Sequence, residues 1–265
     1  MDTSFLTFFF FILGLIIGSF LNVLVYRLRN NETLMGRSMC RSCSRQICWY
    51  DNIPLLSFAV LRGRCRDCQA PISWQYPALE LITGVLFVAV GIYFFSYEDW
   101  SSWSETVWLL TTVSCFIVVA AYDMRHMEIP IMPLIVAAIA ALLFFAWEYH
   151  LTGLFLGSRF GLGLLGAAAV GAFFFSLVYV SNETWMGWGD VWLGCVAGMI
   201  VGLPLALFML TVSFASGSIV GIAGMYLEGK SLKSRMPFGP FLVIGTMAAI
   251  FFPVVFPEYA AFFLL

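Results

Sequence analysis

The chain has 265 residues, 62% hydrophobic and 11% charged, with a formal net charge of -2 and a mean hydropathy of +0.94. A soluble domain carries about 25% charged residues, so these figures exclude a water-soluble globule. They predict an all-α polytopic membrane protein of about eight transmembrane helices.

Apolar stretches suited to crossing a bilayer recur at 4–25, 78–96, 106–122, 129–147, 160–180, 190–204, 205–227 and 238–263. The break at Gly202-Leu203-Pro204 is the least marked, because 190–204 is short, and seven or nine spans would also fit. The first stretch could be mistaken for a signal peptide. No basic residue precedes it and Arg27 and Arg29 follow it, so it reads as a retained helix with its N-terminus outside. Lysine and arginine concentrate on the cytoplasmic side of membranes. Arg27, Arg29, Arg37, Arg41, Arg45, Arg62, Arg64 and Arg66 fall in the first loop, Arg125 in the third, and Lys230, Lys233 and Arg235 in the seventh. Only Arg159 falls on the opposite side, so both termini are expected outside the cytoplasm. Asp2, Glu98, Asp99, Glu105, Glu148 and Glu258 would face outward with them. Three parts follow: a first transmembrane helix at 1–26, a cytoplasmic segment at 27–77 and a seven-helix membrane core at 78–265.

The segment 27–77 is the one long polar stretch, and it holds Cys40, Cys43, Cys65 and Cys68. Each C-x2-C pair can offer two thiolates to one tetrahedral ion, and the intervening residues allow a small hairpin. Two disulfides are the alternative, which a reducing cytoplasm disfavours. A structural zinc is therefore expected between the first two membrane helices, supplying much of the folding energy of a loop too short for a large core. Cys48 is a spare thiol, and Cys115 and Cys195 read as small packing residues. The loop's arginines could meet anionic headgroups or dock part of a substrate. Nucleic acid is a poor partner, since no basic stripe interleaved with aromatics is present.

Two carboxylates stand at the edges of apolar runs. Asp123 closes Val118-Val119-Ala120-Ala121-Tyr122-Asp123, and Asp190 closes Gly187-Trp188-Gly189-Asp190. Such groups are costly near hydrocarbon and are functional suspects. Brought together they could share a proton and work as acid and base. The residues alone leave plainer readings open: Asp190 as a helix N-terminal charge, Asp123 as an interfacial charge near Arg125 and His126. No HExxH or serine–histidine–acid set is apparent, and His126 reads as a surface residue. Gly14/Gly18, Gly194/Gly198, Gly198/Gly202 and Gly217/Gly221 are small-xxx-small pairs suited to close helix packing. No internal repeat is visible.

Gly18-Ser19-Phe20-Leu21-Asn22-Val23, the four cysteines, Trp49-Tyr50-Asp51-Asn52-Ile53-Pro54-Leu55-Leu56-Ser57 and Leu61-Arg62-Gly63-Arg64-Cys65 together resemble the bacterial type IV prepilin peptidases. The likeness continues through Ser73-Trp74-Gln75-Tyr76-Pro77, Glu80-Leu81-Ile82-Thr83-Gly84, Asp123 with Ile129-Pro130, the Gly187–Asp190 motif and Pro237-Phe238-Gly239-Pro240-Phe241. It covers essentially the whole chain. The resemblance implies an aspartic peptidase of the GxGD kind in the bacterial inner membrane, with Asp123 and Asp190 as its catalytic pair. It would remove a short basic leader from type IV prepilins or type II secretion pseudopilins at the cytoplasmic face. Relatives with the cysteine segment then N-methylate the new N-terminal residue with S-adenosylmethionine. Asn22, Arg27 and Glu80, polar residues at the cytoplasmic ends of the first two helices, could meet that N-terminus or the methyl donor, or could serve helix-end packing. Trp192 stands where many relatives carry a lysine, and Glu183 and Trp185 replace smaller residues.

Rival readings are a peptidase without methyl transfer, a proton-coupled transporter using the two aspartates, and a non-catalytic assembly factor. The oligomeric state is not legible.

Overall fold

A computed structural model describes residues 3–30, 32–33, 36–152, 158–228 and 236–259. Asp2, Lys230, Lys233, Arg235 and the end of the 238–263 stretch lie outside them. Helices dominate: α1 (Thr3–Asn30), α2 (Leu56–Val60), α3 (Gln75–Phe94), α4 (Trp100–His126), α5 (Ile131–Thr152), α6 (Arg159–Ser181), α7 (Trp188–Val201), α8 (Leu203–Glu228) and α9 (Gly239–Val255). No strand forms among the described residues, only two isolated bridges, Met39 with Gln46 and Arg64 with Pro71.

Eight of these helices fall on the eight apolar stretches. Six of them, α1, α3, α4, α5, α6 and α8, are long and apolar enough to cross a membrane. The other two, α7 and α9, have 14 and 17 residues. At about 1.5 Å per residue each falls short of a hydrocarbon layer of about 30 Å. The weakly marked break is real. Gly202 takes φ +77°, a left-handed backbone that favours glycine, and its amide closes α7 on the Gly198 carbonyl at 2.9 Å. Pro204 follows at once, where its missing N–H costs α8 nothing.

The chain divides into two compact units within α4, residues Met1–Val118 and Val119–Leu265. In the first unit α1 and α3 pack closely because small residues line their contact. A Cβ on Gly14 would lie 2.7 Å from the Gly84 Cα, and one on Gly18 would lie 2.8 Å from the Glu80 Cα. Both approaches are too short for any side chain, so van der Waals packing between backbones replaces the hydrophobic drive that lipid cannot supply. In the second unit α6 and α7 meet the same way through Gly166 and Gly198, while α8 and α9 meet through Ser213 and Gly245. Gly217 and Gly221 behave differently: a Cβ there would be at ordinary contact, 3.4 Å from Phe241 and 3.6 Å from Met236.

α4 runs beyond the apolar stretch at both ends, so Asp123 lies inside its last turn rather than past it. α7 begins at Trp188, which puts Asp190 in its first turn. The two carboxylates thus stand at helix ends, which is where the sequence pattern placed them.

Candidate active site and metal centre

The four cysteines come together. Their sulfur atoms all lie within 4.8 Å of one another, and Cys40 Sγ is 3.8 Å from Cys68 Sγ. Tetrahedral thiolates at about 2.3 Å from a zinc ion are about 3.8 Å apart, so this donor set fits that metal. The local chain explains the convergence. The Cys40 amide donates to the Arg45 carbonyl at 2.9 Å, and the Ser44 amide returns to the Cys40 carbonyl. The Cys65 amide donates to the Ala70 carbonyl at 2.9 Å, and the Gln69 amide returns to the Cys65 carbonyl. Ser44 and Gln69, each just after the second cysteine of its pair, take φ +56° and +58°. The loop is therefore two copies of one knuckle, matching the doubled C-x2-C spacing in the sequence. Amides of Cys43 and Ser42 turn toward the Cys40 sulfur and bring its thiol down to about 6, which favours the metal-binding thiolate.

An ion pair ties the second knuckle to the 49–52 turn. Arg66 grips Asp51 with two bonds, 2.8 Å and 2.6 Å, and its guanidinium lies over the Tyr50 ring. The hydrogen bonds from Arg66, helped by its charge, hold the Asp51 carboxyl below the usual carboxylate range.

Asn22, Arg27 and Glu80 are all buried, and each bonds to backbone. Asn22 Nδ2 donates to the carbonyls of Gly18 and Tyr76. Arg27 donates to the carbonyls of Thr33 and Gly36. Glu80 Oε2 accepts the Leu55 amide at 2.8 Å. Leu55 itself holds φ +58°, a costly backbone for a bulky side chain, which that bond helps to fix. Arg27 and Glu80 thus moor the cysteine loop to α1 and α3, and Asn22 ties the two helices together.

Asp123 is 4% exposed, and its Oδ2 accepts the backbone amide of Gly239 at 2.9 Å. A Cβ on residue 239 would lie 2.6 Å from that oxygen, so only glycine leaves room for the bond. Asp190 is half-buried, and its Oδ2 accepts the Gly187 amide at 3.2 Å, folding the side chain back over the start of α7. The two carboxylates lie within electrostatic range of each other. Gly189 serves a close approach as well, since a Cβ there would be 3.0 Å from the Ile129 Cβ. Each aspartate is thus oriented through Oδ2 by one amide, leaving Oδ1 for other partners. Sequence reasoning noted the stretch around Gly239 but gave it no role. His126 packs its ring on Tyr122 at 4.6 Å.

Residues 12–94 match the bacterial peptidase A24 N-terminal domain, and residues 110–222 match the type IV leader peptidase family. The prepilin leader peptidase/N-methyltransferase of Bacillus subtilis is 30% identical over 247 residues, 90% of this chain and 91% of that one. The chain belongs to the type IV leader peptidase family. A further relative, the type 4 prepilin-like proteins leader peptide-processing enzyme of Escherichia coli O78:H11, is 31% identical over 92% of this chain and 93% of its own. The prepilin leader peptidase/N-methyltransferase of Myxococcus xanthus is 34% identical over 84% of this chain, which spans 64% of that longer protein. No solved structure matches. The N-terminal match contains all four cysteines with Asn22, Arg27 and Glu80, and the family's peptidase match contains both aspartates. Gly239, the partner of Asp123, lies beyond both matches.

Proposed function

We propose that this chain is a membrane aspartic endopeptidase. It cleaves the leader from type IV prepilins and type II secretion pseudopilins and then N-methylates the new N-terminal residue using S-adenosylmethionine. The observation that carries the peptidase is the paired carboxylate geometry. Asp123 and Asp190 each have one oxygen fixed by a backbone amide, within electrostatic range of one another. The substrate's own apolar helix delivers the scissile bond to the membrane edge and supplies much of its orientation. One carboxylate, ionised, takes a proton from water as the water attacks the carbonyl carbon. The other, protonated, donates to the carbonyl oxygen, and the roles reverse as the leaving amine is protonated. The pair titrates as a unit, so base and acid belong to the dyad rather than to one residue.

The functional division we keep is 1–26, 27–77 and 78–265. Cys40, Cys43, Cys65 and Cys68 hold a zinc ion whose part is structural, closing the two knuckles into one body. Asn22, Arg27 and Glu80 serve methylation as positioning residues, through the α1–α3 junction and the loop that Arg27 and Glu80 moor to it. S-adenosylmethionine supplies the methyl group. The chain resides in the bacterial inner membrane with the cysteine loop and the aspartates on the cytoplasmic side, as the placement of its basic residues requires. A transporter is not favoured, because both carboxylates stand at helix ends instead of at mid-membrane.

Incubating the purified protein with a prepilin and labelled S-adenosylmethionine tests this reading. Leader loss with label on the product is expected. An intact leader would overturn the peptidase assignment, and leader loss without label would overturn the methyltransferase half.

A further inference from the structure

The turn between α6 and α7 carries a feature that the cleavage mechanism does not use. Asn182 and Glu183 take successive left-handed conformations, φ +47° and +62°. Their amides donate to the Tyr179 and Val178 carbonyls, the Thr184 amide to the Ser181 carbonyl, and the Trp185 amide to Ser181 Oγ. Four consecutive amides are thus tied to the end of α6, so the backbone fixes where the Glu183 side chain starts. The side chain is held as well. Its Oε1 accepts the Trp188 indole N–H at 2.6 Å, and the Trp188 ring packs edge-on against Phe175. Glu183 nevertheless stays exposed, and among the described residues no basic side chain forms an ion pair with it.

This anchored carboxylate belongs to the same turn that leads into Asp190. Trp188 opens the helix whose third residue is Asp190, and the Gly187 amide binds the Asp190 carboxylate. Bond geometry puts Glu183 Oε1 within about 9 Å of the Trp188 Cα and Asp190 Oδ2 within about 8 Å of it, so the two oxygens are at most about 17 Å apart. An extended peptide advances about 3.3–3.6 Å per residue. A segment with its scissile bond at Asp190 can therefore reach Glu183 within about five residues. Only one side of that bond can do so. The mature side is an apolar helix that belongs in the bilayer, whereas Asn182, Glu183 and Thr184 form a polar, exposed turn.

We propose that Glu183 is a specificity residue that reads a cationic side chain on the leader side of the scissile bond; this rests on the peptidase reading given above. The indole clamp limits the rotamer freedom the carboxylate must lose on pairing, which makes an exposed ion pair more favourable than a floppy one. Trp192, exposed in the next turn of α7, adds no positive charge to oppose it.

Glu183→Gln keeps an acceptor for the indole and removes the charge, so it separates recognition from the structural clamp. The test uses the full chain in nanodiscs with two prepilins, one basic within five residues before the scissile bond and one with glutamine at those positions. The wild-type ratio of kcat/KM, basic over neutral, is expected to fall about three- to tenfold in E183Q, mainly through KM. E183K should shift preference toward a leader with glutamate at the same positions. An unchanged ratio in both variants overturns the proposal. Loss of all cleavage in both variants overturns it too, assigning Glu183 to folding alone. A wild-type chain that leaves every leader intact would instead overturn the peptidase reading on which this one stands.

Discussion

Gly239→Ala is the sharpest perturbation of the dyad. The added Cβ would lie 2.6 Å from Asp123 Oδ2 and 3.2 Å from its Cγ, so the carboxylate or the start of α9 must move by several tenths of an ångström. Asp123, 4% exposed, has no open solvent to swing into. The bond at risk is the 2.9 Å one from the Gly239 amide. A hydrogen bond to a charged group contributes about 1.5–3 kcal/mol, which corresponds to a rate factor of roughly 10 to 150 if it is lost in the transition state. On the mechanism proposed above the amide orients Asp123 and takes no part in substrate binding, so the loss should appear in kcat, with KM little changed. The assay is the rate of leader removal from a prepilin by purified protein, with membrane yield and zinc content as controls for folding. A G239A chain that cleaves within twofold of the wild type would refute the claim that this amide holds Asp123 in place.

Asp123→Asn and Asp190→Asn should each abolish leader cleavage while the protein still accumulates in membranes; retained cleavage in either would remove the dyad. Replacing Cys40, Cys43, Cys65 and Cys68 with serine should release zinc, measured by metal analysis, and stop label transfer from S-adenosylmethionine while leaving cleavage. Loss of both activities would point to a general folding role for the loop. Glu80→Ala removes the acceptor for the Leu55 amide and should loosen the loop, seen as faster proteolysis between the two cysteine pairs. The Asp51–Arg66 pair predicts a pH effect. Because the folded Asp51 carboxyl titrates below its unfolded value, its contribution is present above the usual carboxylate range. That contribution fades as pH falls through the lowered folded value, so acid should release zinc at higher pH from D51N than from wild type.

Much of this protein is legible one residue type at a time. Apolar stretches without charge demand helices in lipid, because no other open structure satisfies backbone polar groups there. Cys40, Cys43, Cys65 and Cys68 announce a metal through thiol chemistry and spacing, and Asp123 and Asp190 stand out because carboxylates are costly near hydrocarbon. Glycine pairs were legible only in part: Gly14 and Gly18 sit in a tight crossing, while Gly217 and Gly221 show the same spacing without the close approach. Spacing puts small residues on one helix face but does not say which face meets a neighbour.

What the tertiary structure alone decided is what each chemical group leans on. Asp123 is held by an amide 116 residues away, and Glu80 by one 25 residues away. The physical reason is the same in both cases. Side-chain chemistry is written in the residue type, so composition and spacing reveal acids, thiols and apolar spans. A backbone N–H is common to nearly every residue, so which amide reaches which carboxylate is set only when the helices pack.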